Sequence, residues 1–172
     1  MNKRKLIIIF SLAVSAVALA RPDATADFKK FLMSEGQKSM KAFADKNIKY
    51  FETMSTADFT MTERGQKMDK KSSMAGLKQW FGMMKSIKAS FKLTSAKSDG
   101  KTGVATMTST MVGWTKPTAN DKKSHKMEMT GYEKQTWVKK GSSWKLKSIE
   151  EAKPGKMTMD GKPFDPSMMG GG

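Results

Sequence analysis

The apolar positions along this chain change period part-way through. Up to about residue 84 they recur at helical spacing, and beyond residue 87 they alternate with polar ones. Phe28, Phe31, Leu32, Met40 and Phe43 fall on one helical face, with Lys29, Lys30, Lys38 and Lys41 between them. This predicts an amphipathic helix after Pro22, capped by Thr25 or Asp27, whose short side-chain oxygens can accept from free N–H groups. Ala44-Asp45-Lys46-Asn47 breaks it, and Asp45 is the expected cap of a short helix carrying Ile48, Tyr50, Phe51 and Met54. Residues 58–62 alternate and read as a strand. Arg64-Gly65-Gln66 is a turn, and residues 67–71 form a second short strand. Ser72 is then expected to cap a third helix with Met74, Leu77, Trp80, Phe81 and Met84 as its stripe.

The second half is strand after strand. Ile87, Ala89, Phe91 and Leu93 alternate with Lys88, Ser90, Lys92 and Thr94, the pattern of a half-buried strand. Ser98-Asp99-Gly100-Lys101 supplies a hairpin turn, and residues 104–114 are a Thr- and Met-rich strand. A polar loop containing Pro117 leads to a long strand over 125–139. Residues 143–151 close a hairpin whose arms carry Trp137 and Trp144. Such a hairpin needs a sheet to join and an apolar cover for its tryptophans. The order of elements predicts an α+β domain in which a curved antiparallel sheet packs on N-terminal helices as a cone with an open mouth. From residue 154 onward the Gly-, Pro-, Lys- and Met-rich composition predicts a flexible tail.

Residues 1–20 stand apart from this fold. Asn2-Lys3-Arg4-Lys5 precedes an apolar run over 6–17 that is short for a membrane span, and Ala18-Leu19-Ala20 matches a small-x-small cleavage pattern. The expectation is a signal peptide, a secreted or periplasmic mature chain and no stable membrane insertion after cleavage. The chain bears a net charge of +16, and without residues 1–20 it keeps 29 basic against 16 acidic residues, +13. Nearly all of that charge is diffuse lysine, Arg21 and Arg64 being the only arginines after the leader. A nucleic-acid surface concentrates its charge and uses arginine for bidentate contacts, so no nucleic-acid partner is expected. With no cysteine, thiol catalysis, zinc–thiolate sites and disulfides are excluded. Packing alone must hold the domain.

Several stretches resemble the nuclear transport factor 2-like superfamily, and its SnoaL-like branch in particular. They are Ala44-Asp45-Lys46-Asn47-Ile48 running on to Met54, Asp58-Phe59-Thr60, the turn from Gly65 to Ser72, and Gln135-Thr136-Trp137-Val138-Lys139-Lys140 with Trp144-Lys145-Leu146. The likeness spans about residues 25–152. It implies a cystatin-like cone round a pocket, often dimeric through the outer face of the sheet. The same scaffold hosts isomerases, cyclases, hydrolases, dehydratases and non-catalytic members, so the residues must decide the function.

Catalytic relatives place an acid/base carboxylate or histidine in the cone beside a Tyr or Asp donor. The candidates here are Asp58, Glu128, Glu133, Tyr132 and Tyr50, and none falls in the constellation of a steroid isomerase or an epoxide hydrolase. His125, Met127 and Met129 would share a strand face and form a soft set suited to Cu(I). With 17 methionines in the chain, adaptable core filling is the simpler account of them. Trp80, Met107, Met111, Trp114, Met127 and Met129 are the expected lining of an apolar pocket. The sequence therefore reads as an exported, dimeric binding protein for an apolar small molecule or partner, with no cofactor. A small pocket enzyme using Asp58, Tyr132 or Glu133 is the alternative, and a Met/His copper protein the second.

Overall fold

The structure, a computed structural model, describes residues 22–164. The expected signal peptide and the end of the expected tail lie outside them. Helix α1 (Pro22–Ala44) is followed by α2 (Ile48–Met54), β1 (Ser55–Glu63), β2 (Gln66–Asp69) and α3 (Lys70–Met83). Then come β3 (Met84–Ser98), β4 (Thr102–Thr115), β5 (Lys126–Lys140), β6 (Ser143–Met159) and the two-residue β7 (Lys162–Pro163). The sheet order is β2-β1-β6-β5-β4-β3, with β7 also on β6. All neighbours are antiparallel except β1 and β6, which run parallel. The expected α+β architecture is present: three helices on one face of a mixed, open sheet.

The elements follow the expected order, but some boundaries shift and different residues make the caps: α1 begins before both Thr25 and Asp27, β1 begins at Ser55, and α3 begins at Lys70. Asn47 Oδ1 accepts from Tyr50 N–H at 3.2 Å and so caps α2, while Asp45 pairs with Lys41 at 2.6 Å. Asp69, not Ser72, caps α3, its carboxylate accepting from Ser72 N–H at 2.8 Å. Thr25 lies inside α1 and ties the helix to the end of β3: its hydroxyl donates to Ser98 O and accepts from Ser98 N–H. Oxygen-bearing side chains stood on both sides of each boundary, and the path of the chain into the next element selected among them. At the β3–β4 turn the expected geometry holds, with Gly100 at φ 90° and Asp99 Oδ1 accepting from the N–H groups of Lys101 and Thr102.

Beyond residue 153 the strand does not stop. β6 runs to Met159, a turn through Asp160 and Gly161 leads into β7, and Phe164 N–H returns to Met157 O. Pro154 is compatible because β6 bulges there. Against β5 its register shifts between the Thr130↔Lys156 and Tyr132↔Lys153 pairs, again before Glu133↔Glu151, and once more between Thr136↔Ser148 and Trp137↔Leu146. Each shift gives β6 one extra residue, which kinks the strand and increases its twist. Helix α1 lies across the resulting hollow.

Two apolar clusters fill the concave side. In one, Phe28 and Leu32 of α1 pack on Trp137, Leu146, Ala105 and Met107, with Phe31 and Trp144 alongside. This is the cover that the tryptophan hairpin required. In the other, Phe51, Phe81, Met84, Ile87 and Met127 pack with Ala42. The convex face has no covering layer among the described residues, and Val104, Val112 and Trp114 are exposed on it.

Candidate functional site

A cavity of about 1030 Å³ opens between the two clusters. Its walls come from α1, α2 and α3 above and from the inward faces of β3, β4, β5 and β6 below. Met40, Met54, Met74, Met107, Met129 and Met157 are among the lining residues, as are Phe91, Trp80 and Trp137. Unbranched thioether side chains make such a wall apolar and deformable. The indole N–H of Trp80 is buried without a partner among the described residues.

Strand alternation sorts the expected site residues. On β4, Met107, Ser109 and Met111 face the cavity. Trp114, of opposite parity, lies on the convex face with 45% of its surface exposed, so it does not line the pocket. Met127 faces inward but is sealed beneath the helices among Phe51, Phe81 and Met84, and it too is absent from the lining. Trp80, Met107, Met111 and Met129 are among the residues lining the cavity.

The carboxylates separate in the same way. Glu133 is on the inward face of β5. Its Oε1 accepts from the Ser109 hydroxyl at 2.9 Å and its Oε2 from the Gln135 amide at 2.9 Å. Gln135 Oε1 in turn accepts from the indole N–H of Trp137 at 3.1 Å. The donors thus run in one direction, from Trp137 through Gln135 to Glu133, with Ser109 joining from β4. Gly131, next inward along β5, leaves room for this arrangement: a Cβ there would lie 3.0 Å from Ser109 Oγ and 3.6 Å from Glu133 Oε1. Among the described residues no Lys, Arg or His lies within ion-pair distance of Glu133. Tyr132 pairs with Thr108 and borders the cavity at the bulged stretch of β6, while its ring lies 3.9 Å from Lys153 Nζ. Glu128 pairs with Lys126 at 2.8 Å. Asp58 is outside the cone, largely exposed and 3.5 Å from Lys147 Nζ. The Thr56 hydroxyl and then the Lys147 ammonium hold its carboxyl below the usual range. Of the three catalytic candidates, only Glu133 combines a place in the cavity with hydrogen bonds that orient it.

A second polar group stands at the α1 wall. The Tyr50 hydroxyl donates to Glu35 Oε1 at 2.6 Å and lies 3.1 Å from Ser39 Oγ, and both Glu35 and Ser39 line the cavity. Burial, followed by the hydrogen bond to Glu35, raises the Tyr50 pKa, so the phenol is a neutral donor. Glu35, Ser39, Ser109 and Gln135 were not anticipated, yet a signal for each existed. Each is a polar residue on the inward side of its element: Glu35 and Ser39 beside Leu32 and Phe43 on α1, Ser109 between Met107 and Met111, and Gln135 two residues before Trp137.

His125, which the sequence offers only as part of the second-alternative Cu(I) set, precedes β5 and is clamped between two carboxylates. Nδ1 is 2.6 Å from Asp160 Oδ2 and Nε2 is 2.7 Å from Asp121 Oδ2, so both ring nitrogens are engaged away from buried Met127. Hydrogen bonds to Asp160 and then Asp121 raise the His125 pKa, and the same contacts help to lower those of the two carboxyls. The clamp joins the 116–125 loop to the β6–β7 turn. Its stabilising contribution is complete below the ordinary histidine pKa and is lost as pH rises through the raised one. On the acid side it is lost as pH falls through the depressed carboxyl values. NMR titration of His125, the only histidine, should give a pKa above that of a free histidine, returning toward it in Asp160→Asn. An unshifted wild-type value would mean that the clamp does not form in solution.

No family model and no curated protein matches this chain. Solved structures do. A scytalone dehydratase-like protein from Novosphingobium aromaticivorans superposes with a TM-score of 0.61 at 11% identity, over 81% of this chain and 89% of that one. A nuclear transport factor 2-like superfamily protein from Salmonella enterica gives 0.56 at 15% identity, over 75% and 93%. A protein of unknown function with a cystatin-like fold from Nostoc punctiforme gives 0.57 at 11%, over 74% and 91%. The fold is that of the nuclear transport factor 2-like proteins, as the sequence resemblance implied.

Proposed function

We propose that this chain is an exported binding protein that takes an apolar small molecule into the cone. The observation that carries this reading is the cavity of about 1030 Å³, whose exposed wall is largely methionine and aromatic ring. That volume is near the upper end for small-molecule sites, and such walls favour burial of apolar surface. Export rests on the sequence of residues 1–20. The test is native mass spectrometry of the mature protein taken from its host's exported fraction. It should carry an organic adduct that Ala89→Trp, a substitution that fills the cavity, removes. Absence of any adduct, together with failure to take up an added naphthalene-type probe, would overturn the reading.

A second reading is favoured by one specific feature, the oriented Glu133 carboxylate. A small pocket enzyme could use it as a general base towards a substrate C–H or O–H held by the apolar walls. In that case Glu133→Gln abolishes turnover while ligand uptake persists.

We also propose a homodimer formed through the convex face, where Trp114 at 45% exposure and Val112 two residues before it are apolar and uncovered among the described residues. Sedimentation should find a dimer that Trp114→Lys converts to monomer. A monomeric wild type at tens of micromolar would dismiss it.

A further inference from the structure

Among the described residues, acidic side chains outnumber basic ones along the cavity wall, against the sign of the chain's overall charge. The chain as a whole carries +16, yet Glu35, Glu63, Glu133 and Glu151 line the cavity against Arg64 and Lys156. Most of these groups already have partners. Glu35 holds Tyr50 and Lys38, and Glu151 accepts from the backbone N–H groups of Arg64 and Gly155. Glu133 is on the sheet floor, at the end of the line of side-chain donors from Trp137 and Gln135. Like those of Glu151, its hydrogen-bond partners are neutral, and among the described residues no cation pairs with it.

From this geometry we infer that the ligand is an apolar molecule bearing a single cationic amine, with the amine seated on Glu133. The inference rests on the binding reading above and narrows it to a ligand class. An ionised carboxylate offers about four lone-pair sites, and Ser109 and Gln135 occupy one on each oxygen, so acceptor capacity remains for a ligand donor. Trp137 holds the Gln135 amide so that its NH₂ end points at Glu133, which keeps the carboxylate oriented with no ligand present. A pre-oriented carboxylate gives a charged donor more than it gives a neutral one. A carboxylate ligand would be repelled by the same group. The methionine walls take the apolar remainder without demanding one shape.

The experiment compares three probes of one shape, 2-naphthylmethylamine, 2-naphthylmethanol and 2-naphthoate, titrated into the mature protein by calorimetry. The amine should bind roughly tenfold more tightly than the alcohol, the difference expected between a charged and a neutral donor on the same carboxylate. The naphthoate should bind weakest. That order opposes the protein's own net charge, which would favour the anion in any adventitious surface binding. Glu133→Gln should erase the advantage of the amine over the alcohol. If amine and alcohol bind equally to wild type, the amine inference fails and the apolar-pocket reading stands. If none of the three binds, both fail. The wild-type ranking decides the matter even if the variant does not fold.

Discussion

Replacing Phe28 by alanine should destabilise the domain by about 3–5 kcal/mol, the range for truncating a fully buried aromatic residue. Phe28 is 0% exposed. Its ring centre is 4.7 Å from that of Trp144 and 6.3 Å from that of Phe31, and Phe31 meets Trp137 edge-on at 5.2 Å. Removing the ring takes away apolar burial and the anchor that holds α1 on the β5–β6 hairpin. Little can move in to fill the void, because Trp137 and Leu146 are themselves buried on a bonded sheet. For an ordered domain of this size the melting temperature should fall by roughly 10 °C. Thermal and urea unfolding of Phe28→Ala and Phe28→Leu check this, with the leucine variant losing clearly less than the alanine one. A shift of only a degree or two for the alanine variant would mean that α1 is not docked on the hairpin in solution.

Gln135→Leu should follow, at roughly 1–3 kcal/mol for each polar group left without a partner. Leucine is close to glutamine in volume, so the change tests hydrogen bonding more than packing. It strips Trp137 of the acceptor for its buried indole N–H and Glu133 of a donor. The effect on the site should exceed the effect on the fold. With only Ser109 holding it, the carboxylate regains rotamer freedom, and the amine probe should lose its advantage over the alcohol. Gln135→Glu discriminates further, since it places a second negative charge beside Glu133 and cannot donate when ionised. Unchanged stability and an unchanged probe ranking in Gln135→Leu would show that the relay has no part in orienting Glu133.

The two substitutions read different parts of the same architecture. Phe28 reports on the closed end of the cone, where α1 and the tryptophan hairpin form one apolar cluster. Gln135 reports on the floor, where a short polar line crosses an otherwise apolar surface. A binding protein needs the first to keep the cavity open and the second to choose what enters. An acid/base enzyme would need the same two features, and for that reason the wild-type probe ranking and turnover in Glu133→Gln must be measured separately.

The order of helices and strands and the tryptophan hairpin were legible in the chain by itself, whereas which face of the sheet is the concave one was not. Apolar period reports which side of each element is buried, and the Asp-Gly turn needs only its own residues. Parity alone would also have excluded Trp114, which cannot share a face with Met107 and Met111 on one strand. It took the tertiary structure to decide the remainder. The three bulges of β6 arise against β5, and they carry the strand past Pro154 to Met159 where composition suggested a loose end. Likewise, Ser109 reaches Glu133 from the neighbouring strand, and Tyr50 meets Glu35 across two helices. His125 finds Asp160 at 35 residues' separation. Such partners are set by how strands register and helices dock, so a linear pattern can mark the polar residues that face inward but not which of them will meet.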